Sequence, residues 1–267
     1  MSEPVLRLSA FVSVLLGLIV WEILDPRRAR VLPRRARWPA NLGLVVLNTA
    51  AVRVLFPLGA AGGALWAARS GWGLFNLIEA PAWMAFLGSV VVLDLAIYAQ
   101  HVAMHRVPAL WRLHRVHHAD LDVDVSTGVR FHPLEIVLSM GFKVALVVGL
   151  GAPAAAVIAF EIILNATSMF NHANVGIAPG LDRSLRAVIV TPDMHRIHHS
   201  IRREETDSNF GFNVSWWDRL FRTYRDQPKD GQLGLTPGLG QFREPRELRL
   251  DRMLLQPFRN PPAVRTL

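Results

Sequence analysis

"PAWMAFLGSVVVLDLAIYAQHVAMH", residues 81–105, is the stretch whose reading decides the fold. A helix needs about 20 mostly apolar residues to cross a bilayer, and this run supplies them with Asp94 as its one acid. It ends on His101 and His105, four residues apart, so both imidazoles project from one helical face. The segment therefore reads as a membrane crossing that delivers two metal-ligand side chains to one edge of the bilayer.

Working outward, residues 5–24 form an earlier apolar run with Trp21 and Glu22 at its end. It has neither a basic start nor a small-residue cleavage site, so it is expected to be a mature span rather than a signal peptide. The loop after it, "DPRRARVLPRRARW" (25–38), carries six arginines and marks that side as cytoplasmic by the positive-inside rule. A second run, about 41–67, returns across the membrane, with Arg53 obliged to snorkel, pair or face a polar interior. Runs at about 134–150 and 153–171 flank Gly151-Ala152-Pro153, too short for anything but a reversal, so they predict a hairpin that dips from the cytoplasmic face and returns.

The expected fold is all-α: an integral membrane helical bundle of four to five embedded helices, including this re-entrant-like hairpin, under a cytoplasmic histidine-rich cap. Residues 1–225 are expected to form one membrane-embedded domain, and 226–267 a cytoplasmic C-terminal tail packing on the cap. "WWDRLF" (216–221) reads as an interfacial segment, aromatic on one side and charged on the other.

Composition agrees. Of 267 residues 51% are hydrophobic, none is cysteine, and 29 basic residues outnumber 21 acidic ones. The arginines lie between apolar runs rather than on one basic face, so no nucleic-acid partner is expected. With no thiolate available, any metal must be held by nitrogen and oxygen.

All ten histidines fall on the expected cytoplasmic side, with none in the first hundred or the last sixty-eight positions. "HRVHH" (114–118) and "HRIHH" (195–199) repeat one spacing, i, i+3, i+4, and each can present three nitrogens together. Thr191-Pro192-Asp193 supplies a helix start before the second phrase. His132 opens the fourth run and His172 closes the fifth. A lone histidine is more often a surface or core residue than a ligand, but eight or more imidazoles exceed what one ion can coordinate, so the set points to two ions.

HxxxH at 101–105 and HxxHH at 114–118 and 195–199 resemble the three histidine boxes of the fatty acid hydroxylase / sterol desaturase superfamily. "FHP" (131–133), "NH" (171–172) and the stretch from Thr191 through "ETDSNFG" resemble its bacterial members, over roughly residues 80–225. That resemblance implies a membrane di-iron oxygenase using O2 and two electrons to hydroxylate or desaturate a lipid. By it, His101, His105, His114, His117, His118, His132, His172, His195, His198 and His199 are candidate ligands of two iron ions. The family covers sterol, sphingolipid, fatty acyl, carotenoid and ether-lipid substrates, and the residues choose none of them. No haem module is fused within these residues, so a separate ferredoxin- or cytochrome b5-like electron donor is expected, with a bacterial inner membrane as the location. The alternative is a histidine-rich metal transporter, which would want its ligands near the bilayer midplane.

Polar stripes lead toward the histidines. Asp94, Tyr98, His101 and His105 share one face; Glu161, Asn165, Ser168 and His172 another; His132, Glu135, Ser139 and Lys143 a third. Lys143 and Glu161 are equidistant from the reversal and are expected to pair. Asp94, Tyr98 and Asp193 are expected to orient ligand imidazoles by hydrogen bonding.

Overall fold

A computed structural model describes residues 2–260 and 262, and every regular element among them is helical. The long helices are α1 (Glu3–Leu24), α2 (Arg34–Leu55), followed by the shorter α3 (Gly59–Arg69) and α4 (Leu74–Leu77), then α5 (Ala82–Arg106). α6 (Pro108–His118) leads through a loop to α7 (Pro133–Leu150) and α8 (Ala154–His172). Short helices complete the cap: α9 (Pro179–Leu185), α10 (Pro192–His198), α11 (Arg203–Thr206), α12 (Trp216–Leu220), α13 (Gly231–Gly234) and α14 (Leu250–Leu255).

Five segments are long and apolar enough to cross a membrane: Glu3–Leu24, Arg34–Leu77, Ala82–Arg106, Pro133–Leu150 and Ala154–His172. Their outer faces carry Leu8, Leu16, Val46, Trp83, Leu87, Leu138 and Ile163, all exposed. So much apolar side chain on long helices needs lipid rather than water as its solvent. The chain is a multi-pass membrane protein.

Two expectations need correction. The second run is not one helix over 41–67: it starts at Arg34 and breaks at Phe56-Pro57, where proline cannot continue the backbone ladder. Beyond the break α3 packs through Ala60, Ala61 and Ala64 against Val147 and Phe160, small side chains allowing a close approach. Nor do the arginines of 25–38 serve topology alone, since four of the six have specific partners. Arg27 pairs with Asp193, Arg34 with Glu22, and Arg37 with Asp120 and Asp124, while Arg28 donates to the Leu235 carbonyl. Arg53 is exposed in the last turn of α2.

The hairpin forms as its sequence implies. Gly151 caps α7 at φ +66°, a left-handed conformation that favours glycine. Gly73 lies against it so closely that a Cβ there would fall 2.2 Å from the Gly151 nitrogen. Lys143 Nζ meets Glu161 Oε1 at 2.7 Å, the expected pair, and Arg7 from α1 takes the other oxygen at 2.7 Å. In "WWDRLF" Trp216, Leu220 and Phe221 face outward, while Asp218 is buried and accepts from the Phe210 and Gly211 amides.

The segment after 225 contacts α10, α2 and α6. Gln232 donates to the Asp193 carbonyl at 2.8 Å, and Met253 packs with Ala40, Leu44 and Val116. The end of the expected tail, Pro261 and 263–267, lies outside the described residues.

Glu161 pairs with both Lys143 and Arg7, and of the two only Arg7 has a second acid, Glu3 at 2.9 Å. Glu161→Ala should therefore destabilise by about 3–5 kcal/mol, and Lys143→Met by less, because Arg7 stays paired. Thermal unfolding in detergent checks the order, and a larger loss for Lys143→Met would refute it.

Candidate metal centre

The centre is assembled where helices end. α5 carries His101 and His105 in its last two turns. The chain then turns at Val107, in extended conformation, and re-enters a helix at Pro108, a residue suited to a first turn. That brings α6 back with His114, His117 and His118. His172 is the last residue of α8. Thr191 caps α10 by accepting from the Met194 amide at 3.3 Å, and α10 supplies His195 and His198, with His199 as its C-cap.

Nine of the ten histidines fall into two groups, each offering ligand nitrogens within 4.8 Å of one another. One holds His101, His105, His114, His118 and His198, and the other His117, His172, His195 and His199. The two HxxHH phrases are not each devoted to one group, as three nitrogens presented together would require. Adjacent residues sit about 100° apart around a helix, so His117 and His118 diverge, their rings 89° apart. His114 and His118 serve one group and His117 the other; in the second phrase His198 serves one and His195 and His199 the other.

Tautomers follow from the partners. His101 Nδ1 lies 2.7 Å from the Phe210 carbonyl, His198 Nδ1 2.7 Å from that of Ser208, and His172 Nδ1 2.6 Å from that of Ser168. His117 Nδ1 faces the Arg130 carbonyl at 3.3 Å. Carbonyls only accept, so these Nδ1 atoms carry the proton and each Nε2 presents a lone pair. Yet His172 Nε2 lies 3.0 Å from His117 Nε2, 3.0 Å from His199 Nε2 and 3.2 Å from His195 Nε2. His117 and His172 both commit their Nδ1 protons to carbonyls, so their Nε2 lone pairs face each other and repel at that range unless a cation lies between them. His198 Nε2 is buried with no protein partner at all.

Burial and neighbouring imidazoles push His117, His118, His195 and His199 well below the ordinary histidine range, and burial does the same for His198. They stay neutral, the form that binds metal. An all-imidazole donor set without thiolate suits iron, copper or nickel as well as zinc, and it fits two ions.

His132 is not brought to either group. Its Nδ1 accepts from the Leu134 amide as the cap of α7, and its Nε2 faces the Leu254 carbonyl at 3.2 Å, so the expectation of ten ligands narrows to nine. The three residues expected to orient imidazoles have other partners. Asp94 accepts from Trp217 Nε1 at 2.7 Å, Tyr98 bonds Thr223 at 2.8 Å, and Asp193 joins Arg27 and Arg196. Trp217 is thereby drawn inward as a pin between α12 and α5.

The orienting carboxylate is Glu135, 2.7 Å from His114 Nδ1, with its second oxygen buried and unpartnered. Asp207 lies 3.4 Å from His105 Nδ1. Both acids lie beside the five-histidine group, but only Glu135 makes a hydrogen bond to one of its imidazoles. Glu135 was legible as a polar residue one turn into α7 on the face of His132, whereas the carbonyls of 130, 168, 208 and 210 leave no sequence signal. Aromatic rings close the site: Phe212 contacts His101 and His195, and Phe131 stacks on His117 and lies near His114, so each touches both groups.

The fatty acid hydroxylase family profile matches residues 86–223, just over half of the chain, and spans all three histidine boxes. The chain is 28% identical over 157 residues to an ornithine lipid hydroxylase of Rhizobium tropici, covering 58% of this chain and 46% of that protein. It is 27% identical over 194 residues to the alkylglycerol monooxygenase of Xenopus tropicalis, covering 69% and 40%, and 29% identical over 175 residues to the human one, covering 63% and 37%. The matches thus span less than half the length of these curated relatives. No solved structure matches. With the profile covering the helices that carry the nine clustered histidines, the chain belongs to the fatty acid hydroxylase family.

Proposed function

We propose that this chain is a membrane-bound di-iron monooxygenase that hydroxylates a lipid. One observation carries the reading: nine buried imidazoles converge in two groups at one end of a membrane helical bundle. The net reaction consumes the lipid C–H bond, O2, two electrons and two protons, and yields an alcohol and water. Two irons, when bound, supply the oxygen activation that no side chain of this protein can provide.

The residues' own contributions follow from their contacts. His101, His105, His114, His118 and His198 would hold one ion, and His117, His172, His195 and His199 the other. The smaller group would leave more coordination positions open. Backbone carbonyls fix the Nδ1–H tautomers, and Glu135 accepts from His114 Nδ1 and orients its ring. Phe131 and Phe212 wall both groups and limit water. Phe212 also packs on the apolar cluster containing Leu93, Val147 and Phe160, which favours a substrate arriving from within the bundle.

Hydroxylation is favoured over desaturation because the named relatives are a hydroxylase and monooxygenases, and an ornithine lipid or alkylglycerol lipid is the first substrate to test. The arginine-rich segment 27–37 lies at the histidine end, which supports a cytoplasmic placement in a bacterial inner membrane and a ferredoxin- or cytochrome b5-like donor. A transporter is disfavoured, because ligands would sit at helix ends rather than near the midplane.

Anaerobic Fe(II) loading should give two irons per chain, with lipid-dependent O2 consumption once a reductant is present. His118→Ala and His199→Ala should each lower iron content toward one and abolish hydroxylation. One iron or none in the wild type, with activity retained in both variants, sinks the reading. Glu135→Ala should weaken iron retention about 10–100-fold, while Glu135→Gln, which still accepts from His114 Nδ1, should lose less. Competition with a chelator measures both, and equal loss would refute the orienting role.

A further inference from the structure

Four aromatic side chains lie against the clustered histidines: Phe131, Phe212, Trp111 and the fully buried Phe210, which contacts His101, His105 and His198. Phe131 and Phe212 each touch both groups and belong to the membrane side. Phe212 packs on the apolar cluster between the helices, and the Phe131 carbonyl accepts from Asn48 of α2. Trp111 differs on both counts. Its ring lies 4.9 Å from that of His105, 5.4 Å from His118 and 6.4 Å from His114, all in the five-histidine group. It is only partly buried, on α6, which lies beyond the end of the last turn of α5 and packs on the C-terminal segment, Arg112 donating to the Pro257 carbonyl at 2.7 Å. Trp111, His114 and His118 stand at i, i+3 and i+7, so one helical stripe runs from the surface into the site.

Resting on the di-iron reading, we propose that Trp111 is the electron-entry residue: a reduced one-electron carrier protein docks over α6, and electrons reach the five-histidine group through the indole. Tunnelling falls steeply with distance, and the Trp111 ring is both in contact with ligand imidazoles and partly open at the α6 surface, away from the apolar cluster. The exposed Arg106 and Val107 beside it offer a cationic and apolar rim for an acidic donor. Each carrier loses one electron and one ferric ion becomes ferrous, so two encounters reduce the pair. Entry at this group leaves the seam walled by Phe131 and Phe212 free for substrate.

The test is stopped-flow reduction of the full-length diferric protein in detergent by reduced [2Fe–2S] ferredoxin and, in parallel, by the soluble haem domain of cytochrome b5, with dithionite as the small-molecule control. For whichever carrier reduces the wild type, Trp111→Leu should slow reduction at least 10-fold and Trp111→Phe by an intermediate factor. Dithionite reduction and the two irons per chain should be retained. Should the Leu variant lose iron, the Phe variant decides: slower reduction by the carrier with two irons in place supports the assignment, and an unchanged rate overturns it. A wild-type rate in Trp111→Leu, equal slowing with carrier and dithionite, or a wild type reduced by neither carrier also overturns it. A wild type holding fewer than two irons removes the di-iron reading itself and this assignment with it, an outcome distinct from normal loading with unaltered kinetics.

Discussion

The rest of the molecule depends on one constraint: buried imidazole lone pairs brought to about the distance of a hydrogen bond with too few protons to share. Where His172 Nε2 meets His117 Nε2 at 3.0 Å, and the two rings commit their Nδ1 protons to the Ser168 and Arg130 carbonyls, the arrangement is repulsive by itself. Desolvation keeps the rings neutral, so protonation does not relieve the conflict. Only a cation turns these contacts from a cost into a gain, and the fold must hold the nitrogens in place against their mutual repulsion.

That holding falls to two buried clamps on the loops between helices. Arg37 of α2 reaches Asp120, Asp124 and the Asp122 carbonyl, while Arg130 donates to the Val116 carbonyl at 2.8 Å and to Asn41 at 3.1 Å. Burial would raise the Asp120 carboxyl, but Arg37 and Arg130 hold it at about 2. The second clamp joins Arg27 to Asp193, which also pairs with Arg196 between His195 and His198. Burial would raise Asp193 as well, and the two guanidiniums hold it low. Buried ion pairs contribute little net stability because desolvation offsets their attraction. Their value here is geometric: each fixes the backbone beside one HxxHH phrase to the loop between α1 and α2 or to α2 itself.

This division explains what could be read from the sequence. Helical spans, the reversal at Gly151, the Lys143–Glu161 pair and the one-sided distribution of histidines all follow from local composition and periodicity. The break at Phe56-Pro57 did not register, because an apolar run of spanning length hides a kink inside it. Asp94, Tyr98 and Asp193 stand close to histidines in the sequence, yet their partners Trp217, Thr223, Arg27 and Arg196 include long-range contacts that no spacing announces. His132 was indistinguishable from a ligand by residue type, because a cap and a ligand both use an imidazole lone pair.

The interleaving of the two phrases carries a further consequence for assembly. If each HxxHH had served one ion, the first site could form from α5 and α6 before α10 was made. Instead His198 completes the group begun by α5 and α6, and His117 completes the group begun by α8 and α10. Neither set of nitrogens closes until the chain has reached residue 198, well after the hairpin has returned. The two sites are thus coupled through the α6 and α10 backbones: displacing one phrase disturbs both. That coupling is the structural reason for writing the same spacing twice, since two matched helical turns facing each other can exchange one ligand in each direction while keeping the remaining nitrogens in register.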